Sequence, residues 1–215
     1  HWLGEKDLFH EQSVKIPMII YDPREKANKT RNSTCDELVE SLDLAATFVE
    51  AAGGKVPDHI LEGRSLIPWL NGDKPNWRKY VISEFDYSAT PLAVKLDLKP
   101  RDCRLFMVFD GRWKMMHAEG GIRPMLFDLK TDPDEFHDLA KTEEYGNEID
   151  RLYGFLAQWG RRLAQRVTKS EDDIINMRAR SSGKGILPFL IDGSEVPEEL
   201  TAFYRGKIKQ KFTEE

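Results

Sequence analysis

Cysteine is scarce in this chain. Among 215 residues there are two, Cys35 and Cys103, and they form no metal-type or redox-type cluster. That excludes a Cys-based metal or redox motif and inclines the reading toward a reducing, cytoplasmic setting. Excess positive charge is missing as well. A formal net charge of −5 gives no basic footprint of the kind a nucleic-acid partner needs. Long hydrophobic runs are lacking too. No apolar stretch approaches the roughly 20 residues that cross a bilayer, so no membrane partner is expected. A signal peptide is not visible, which decides nothing for a chain that opens in mid-motif at His1 without an initiator Met.

What is present suffices for one or two domains, with 40% apolar residues to bury. The first stretch, His1 to Pro23, is dense in site-like polar residues and runs into Ile16-Pro17-Met18-Ile19-Ile20-Tyr21. That apolar run predicts a buried strand of a covered sheet, and loops at strand ends are where α/β proteins place their chemistry. Arg24 to Ser33 reads as a solvated loop. Thr34-Cys35-Asp36-Glu37 has the form of a capping box, predicting a helix with Leu38, Leu42, Ala45, Phe48, Val49 and Ala52 on its apolar face and Gly53-Gly54 at its end. Asp43, on that helix, reads as a surface or helix-packing residue ahead of a catalytic one.

Further on, Leu61 to Leu70 suggests a short helical turn, and Tyr80 to Phe85 a strand with Glu84 as a polar strand-end residue. Asp86 to Lys99 is irregular and a candidate loop over a pocket. Arg104 to Phe109 and Trp113 to His117 flank Asp110-Gly111, a hairpin signal. Pro124 to Leu129 adds a third strand, followed by an Asp132-Pro133-Asp134-Glu135 turn. Glu144 to Arg166 predicts one amphipathic helix with Ile149, Leu152, Leu156, Trp159 and Leu163 as its stripe. In the tail, Gly183-Lys184-Gly185 lacks the spacing of a phosphate-binding loop. The apolar Ile186 to Ile191 lies outside any core pattern, as a subunit contact does.

Several of these stretches together resemble the sulfatase family of the alkaline phosphatase superfamily, and within it the arylsulfatase and phosphonate monoester hydrolase group. The resemblance is carried by His1, Lys6, Glu11 and Lys15 before the Ile16-Pro17 run, by Val39 to Leu44, and by Gly63 to Leu70. Its most specific part is Asp110-Gly111-Arg112-Trp113-Lys114, then Leu126-Phe127-Asp128-Leu129, Asp132-Pro133-Asp134-Glu135 and Asp138-Leu139-Ala140. The run favours the sulfatase branch over phosphatases and phosphomutases. The resemblance covers about residues 1 to 140.

The resemblance implies an α/β fold: the C-terminal part of an alkaline-phosphatase-like sheet (residues 1–100), a small antiparallel β subdomain with a long packing helix (101–167), and a C-terminal arm (168–215) that makes a homo-oligomer contact. For the complete protein it implies metal-dependent hydrolysis of a small sulfate monoester, phosphonate monoester or phosphate diester. A divalent metal (Ca or Mn) and a formylglycine nucleophile belong to that chemistry. Cys35 and Cys103 do not stand in the C/S-x-P-x-R motif that yields formylglycine, and the family's acidic metal ligands have no match here. The fragment alone is therefore expected to be inactive. Lys6 matches the lysine that contacts the sulfate or phosphoryl group, against the plainer reading of a surface lysine. His1 stands beside it as a candidate substrate-binding residue, while His10 and Glu11 are expected to fix the loop. For His117 a structural or surface role competes with lining a substrate cleft, and His137 reads as a surface histidine. The rival function is a non-catalytic assembly module.

Overall fold

The computed structural model describes residues 8–162, 170, 172 and 173. Its centre is a four-stranded antiparallel sheet of β1 (Val81–Asp86), β2 (Arg104–Phe109), β3 (Trp113–Ala118) and β4 (Met125–Asp128), in that spatial order. Strand neighbours in sequence are neighbours in space throughout, which is what tight connections between alternating apolar segments favour. The hairpin between β2 and β3 forms where Asp110-Gly111 announces it, with one difference. Gly111 and Arg112 are the central pair, only Gly111 takes a left-handed φ (+95°), and Asp110 accepts from the amides of Arg112 and Trp113 at 2.9 and 2.7 Å. The Asp side chain closes the turn that Gly makes possible.

Register explains the core. Ile82, Val108, Met115 and Leu126 stand side by side across the four strands and are nearly or wholly buried. The helix α5 (Gly146–Gly160) covers this row with Leu152, flanked by Ile149, Leu156 and Trp159. Ile149, Leu152, Leu156 and Trp159 of the predicted stripe thus make the contact, although the helix begins at Gly146, not Glu144; Leu163 and Arg166, like the tail's Gly183-Lys184-Gly185 and Ile186 to Ile191, lie outside the described residues. Burying one such aliphatic side chain stabilises by about 1.5–3 kcal/mol. The opposite face carries Met107, Met116 and Phe127, and Phe9 with the short helix α1 (Glu11–Val14) packs there. Asp138 accepts from the amides of Leu126 and Ala140 at 3.1 and 3.0 Å, tying the outer strand to the turn that follows it.

Three expectations change. Ile16 to Tyr21 does not pair in any strand, and Ile16, Ile19 and Tyr21 are 69, 95 and 75% exposed. The apolar signal is real, but the described strands all belong to the antiparallel sheet, and none lies beside this run. Thr34 to Glu37 is not helical; α2 spans Leu42–Ala51. The capping box loses because the chain here is committed elsewhere: Leu38 gives its carbonyl to Trp77 Nε1 and Arg78 Nη1 at 2.7 and 3.0 Å. Thirdly, β1 joins the antiparallel sheet through six paired positions with β2, so the sheet runs across position 100. The segment between them is partly ordered as α4 (Pro91–Lys95), with Ala93 buried against Tyr87 and Cys103.

Asp43 organises the region ahead of the sheet. It is wholly buried and takes both Nη groups of Arg78, each at 2.5 Å, with the amides of Arg64 and Glu40 at 2.7 and 2.8 Å. Burial pushes its carboxyl up, but the Arg78 hydrogen bonds and the two amides outweigh that and hold it below the ordinary aspartate value. Glu40 extends the node, sitting 3.4 Å from Arg78 Nε and accepting from the Ile82 amide at 3.2 Å. The helix-packing role of Asp43 was legible; its complete burial was not. Gly63, ahead of the short helix α3 (Ile67–Leu70), packs directly on the Leu42 carbonyl, leaving no room for a side chain. Asp43→Ala is expected to destabilise the protein by about 3–5 kcal/mol, because it strands a buried guanidinium. Asp43→Leu combined with Arg78→Met should lose less than Asp43→Ala, as read from urea midpoints.

Candidate functional site

Lys114 lies inside the sheet face that is otherwise apolar. Its register neighbours are Phe109 and Phe127, and its side chain is 0% exposed. A charge taken out of water must be paired and hydrogen-bonded to remain charged. Three oxygens meet it: the Phe9 carbonyl at 3.1 Å, Glu11 Oε1 at 2.5 Å and Glu135 Oε1 at 3.0 Å. Phe9 and Glu11 come from the segment that follows Lys6 in sequence, and Glu135 from the turn after β4.

Glu135 is the second buried charge of this knot. Its other oxygen accepts from the Glu11 amide at 2.7 Å and lies 3.3 Å from His10 Nδ1. Its backbone is left-handed, φ +56°, a conformation that costs a non-glycine residue about 1–2 kcal/mol. The Asp132-Pro133-Asp134-Glu135 turn thus holds a strained residue in place because three groups converge on its carboxylate. Burial works to raise the carboxyl, but the His10 and Glu11 hydrogen bonds and the Lys114 charge win and keep it below its ordinary value. His10 and Glu11 fix the loop, as their positions suggested.

His117 occupies the other face. It pairs with Phe106 in register, and its Nδ1 lies 3.0 Å from the Tyr153 hydroxyl of α5. Together with Glu84, Arg104, Glu119 and Trp159 it lines an open cleft of about 680 Å3. Arg104 pairs with Glu84 in this cleft, and Glu119 sits 3.9 Å from His117 Nε2. Glu84 is accordingly a paired strand residue. The Asp86–Lys99 segment does not contribute to the lining. His1 and Lys6 lie outside the described residues, but the segment that continues from them, Phe9 to Glu11, is on the face of the sheet opposite His117. His137 is a surface residue, 79% exposed beside Asp132.

The residues that sequence reasoning did not single out as functional are Lys114 and Glu135. A signal was available. Lys114 sits near the start of a strand, between Trp113 and Met115 with Met116 beyond, where neither face of the strand is solvated and a lysine needs a buried counter-charge. As for other ligands, the described residues hold no group of three or more His, Cys, Asp or Glu side chains arranged to bind a metal. Cys103 is buried with its thiol donating to the Lys99 carbonyl at 3.2 Å, and burial pushes that thiol up. Neither the metal nor the nucleophile expected of the complete protein fits these positions.

Acid should loosen the knot. Since the Glu135 carboxyl is depressed in the folded state, its contribution to stability is complete above the ordinary glutamate value of 4.5 and is lost as pH falls through the folded value below it. Urea midpoints measured from pH 7 to pH 3 are expected to fall through this window. In Glu135→Gln the midpoint should start lower and fall less steeply there.

Comparison with known proteins gives this geometry a context. The family described as "N-sulphoglucosamine sulphohydrolase, C-terminal" matches residues 1–161. The multifunctional alkaline phosphatase superfamily protein PehA of Trinickia caryophylli is 34% identical over 149 residues, 67% of this chain and 28% of that protein. An arylsulfatase of Clostridium perfringens is 28% identical over 147 residues, again 28% of its own length. Among solved structures, the phosphonate monoester hydrolase SpPMH from Silicibacter pomeroyi superposes with a TM-score of 0.57 at 25% identity, over 64% of this chain and 28% of that one. The chain therefore spans a little over a quarter of the relatives it matches. On the match over residues 1–161, the chain belongs to the sulfatase family of the alkaline phosphatase superfamily, as its C-terminal part.

Proposed function

We propose that this chain is the C-terminal part of a hydrolase that cleaves sulfate monoesters, phosphonate monoesters or phosphate diesters, and that Lys6 holds the anionic group under attack. The observation that supports it most is the family match over residues 1–161, with relatives named as arylsulfatase and phosphonate monoester hydrolase. In the complete protein a divalent metal (Ca or Mn) and a formylglycine would supply electrophilic polarisation and covalent displacement. Those groups lie outside the residues described here.

The chain's own contribution is binding and orientation. Ester cleavage at sulfur or phosphorus shifts negative charge onto the non-bridging and leaving oxygens, and a fixed cation beside them lowers the barrier because it needs no reorganisation. A lysine at position 6, three residues ahead of the anchored Phe9, is suited to that, with His1 beside the same group. His117 is proposed separately, as a wall of the cleft between the sheet and α5. Residues 168–215 are proposed as an arm that contacts a second copy, and a reducing, cytoplasmic compartment remains the proposed setting.

The test is hydrolysis by the complete protein of an aryl sulfate, a phosphonate monoester and a phosphate diester side by side, with Lys6→Ala as the variant. Turnover of at least one ester that drops about 100-fold or more in Lys6→Ala is expected. No turnover of any ester by the metal-loaded, modified protein would favour an assembly module. Full activity in Lys6→Ala would keep the family and remove Lys6 from the site.

A further inference from the structure

We infer that the groove formed by Ile16 to Tyr21 and α2 is a docking surface for an extended apolar strand from the remainder of the complete protein, which pairs with this run and covers it. The inference does not depend on Lys6. It begins from a surface that a finished domain rarely leaves bare. Ile16, Ile19 and Tyr21 are 69, 95 and 75% exposed, and Phe48 of α2, beside them, is 67% exposed. Among the other described large apolar residues, only Val94 and Phe136 are as exposed. No charged residue interrupts the run from Ile16 to Tyr21, whereas natural edge strands carry charges or bulges that turn a further strand away.

The backbone makes the same demand. Residues 15–23 belong to no helix or strand, and among the described residues the amides of Met18, Ile19, Ile20 and Tyr21 meet no backbone carbonyl. A row of open donors and acceptors on an apolar run is a template for strand pairing. The run is also held at both ends. Glu11, at the head of α1, is gripped by Lys114 and Glu135, and the buried Asp22 is tied to Arg24. A segment fixed in this way loses little further freedom on pairing. From Met18 onward exposure alternates with the period of a strand: 41, 95, 37 and 75% at residues 18, 19, 20 and 21. One face is half covered and the other is bare, and a sheet buried on both faces supplies what is missing.

The lengths of the relatives argue that the occupant is part of the same protein. This chain spans 28% of PehA and 28% of SpPMH. A complete protein of that size carries a much larger body on the same polypeptide, at an effective concentration far above that of a separate partner. The groove, about 460 Å3, is lined by Ile16 to Tyr21 with Ser41, Leu44, Thr47 and Phe48. It has no charged side chain in its lining, as suits a permanent contact better than an exchangeable one.

The experiment is amide hydrogen exchange on the complete protein, read at Met18 to Tyr21 against Val108 and Met115 of the sheet. One neighbouring strand bonds alternate amides, so at least alternate amides of the run are expected to exchange roughly 1,000-fold or more slowly than in an unstructured chain. Exchange at the free-chain rate throughout the run would overturn the inference. The measurement is repeated on dilution: protection that vanishes as oligomers dissociate would assign the groove to a second copy and overturn it as well. Ile19→Lys and Ile19→Val are then made in the complete protein. Ile19→Lys is expected to lower the melting temperature or prevent folding, and Ile19→Val to change far less, because a covered apolar site rejects a charge. An Ile19→Lys protein that melts with the wild type would leave Ile19 at the surface and the inference refuted, whatever Lys6→Ala does to turnover.

Discussion

A lysine ammonium buried within a β-sheet is the constraint on which this structure turns. The sheet is apolar on both faces, so each face must be covered. On one side the cover is a regular helix, α5, whose stripe meets the row Ile82, Val108, Met115 and Leu126. On the other it is a short, nearly irregular piece of chain around Phe9 and α1. A four-residue helix has little stability of its own. It stays where it is because Lys114 demands oxygens, and Phe9, Glu11 and Glu135 are the groups that provide them. Remove the cation and the second face keeps its apolar contacts but loses the reason for one particular arrangement.

The two faces also divide the polar chemistry. On the α5 side His117 and Tyr153, which share a hydrogen bond, and the paired Glu84 and Arg104 border an open cleft. Beneath the sheet, Lys114 and Glu135 are fully buried and their charges are spent on holding backbone. An open cleft can admit a ligand of mixed polarity, whereas a buried knot can only position what is attached to it. Asp43 and Arg78 do for the region before the sheet what Lys114 does beneath it, linking α2, the Arg64 loop and, through Glu40, the first strand.

Much of the sheet was legible in the sequence, and the reason is local. Arg104 to Phe109, the Asp110-Gly111 turn and Trp113 to His117 encode their pairing within about a dozen residues, and the α5 stripe is a simple 3.6-residue repeat. What escaped was set by distant partners. Ile16 to Tyr21 has the composition of a buried strand, but composition cannot supply a neighbour, and the run is largely exposed beside Leu44 and Phe48 of α2. The Thr34 capping box obeys every local rule and loses to Trp77 and Arg78, some forty positions away. Of the site, Glu11 and His10 were readable as loop-fixing residues from their place after Lys6. Lys114 and Glu135 were visible as letters of a signature, but their meeting with Glu11 spans more than a hundred positions, and no periodicity records such a contact.

Why a charge and not a phenylalanine holds the segment follows from the shapes of the two interactions. Apolar contact is non-directional and falls off gently, so a segment held by Phe9 alone is free to slide or roll by fractions of an ångström with little change in free energy. Hydrogen bonds to an ammonium weaken steeply with distance and angle, and a buried cation deprived of one oxygen has no water to replace it. The resulting energy well is narrow even where its depth is modest. A left-handed Glu135 is consistent with this: strain is tolerated at the residue that completes the coordination. The same sheet that packs α5 with non-directional aliphatic contacts therefore carries its directional interaction on the face covered by Phe9 and α1.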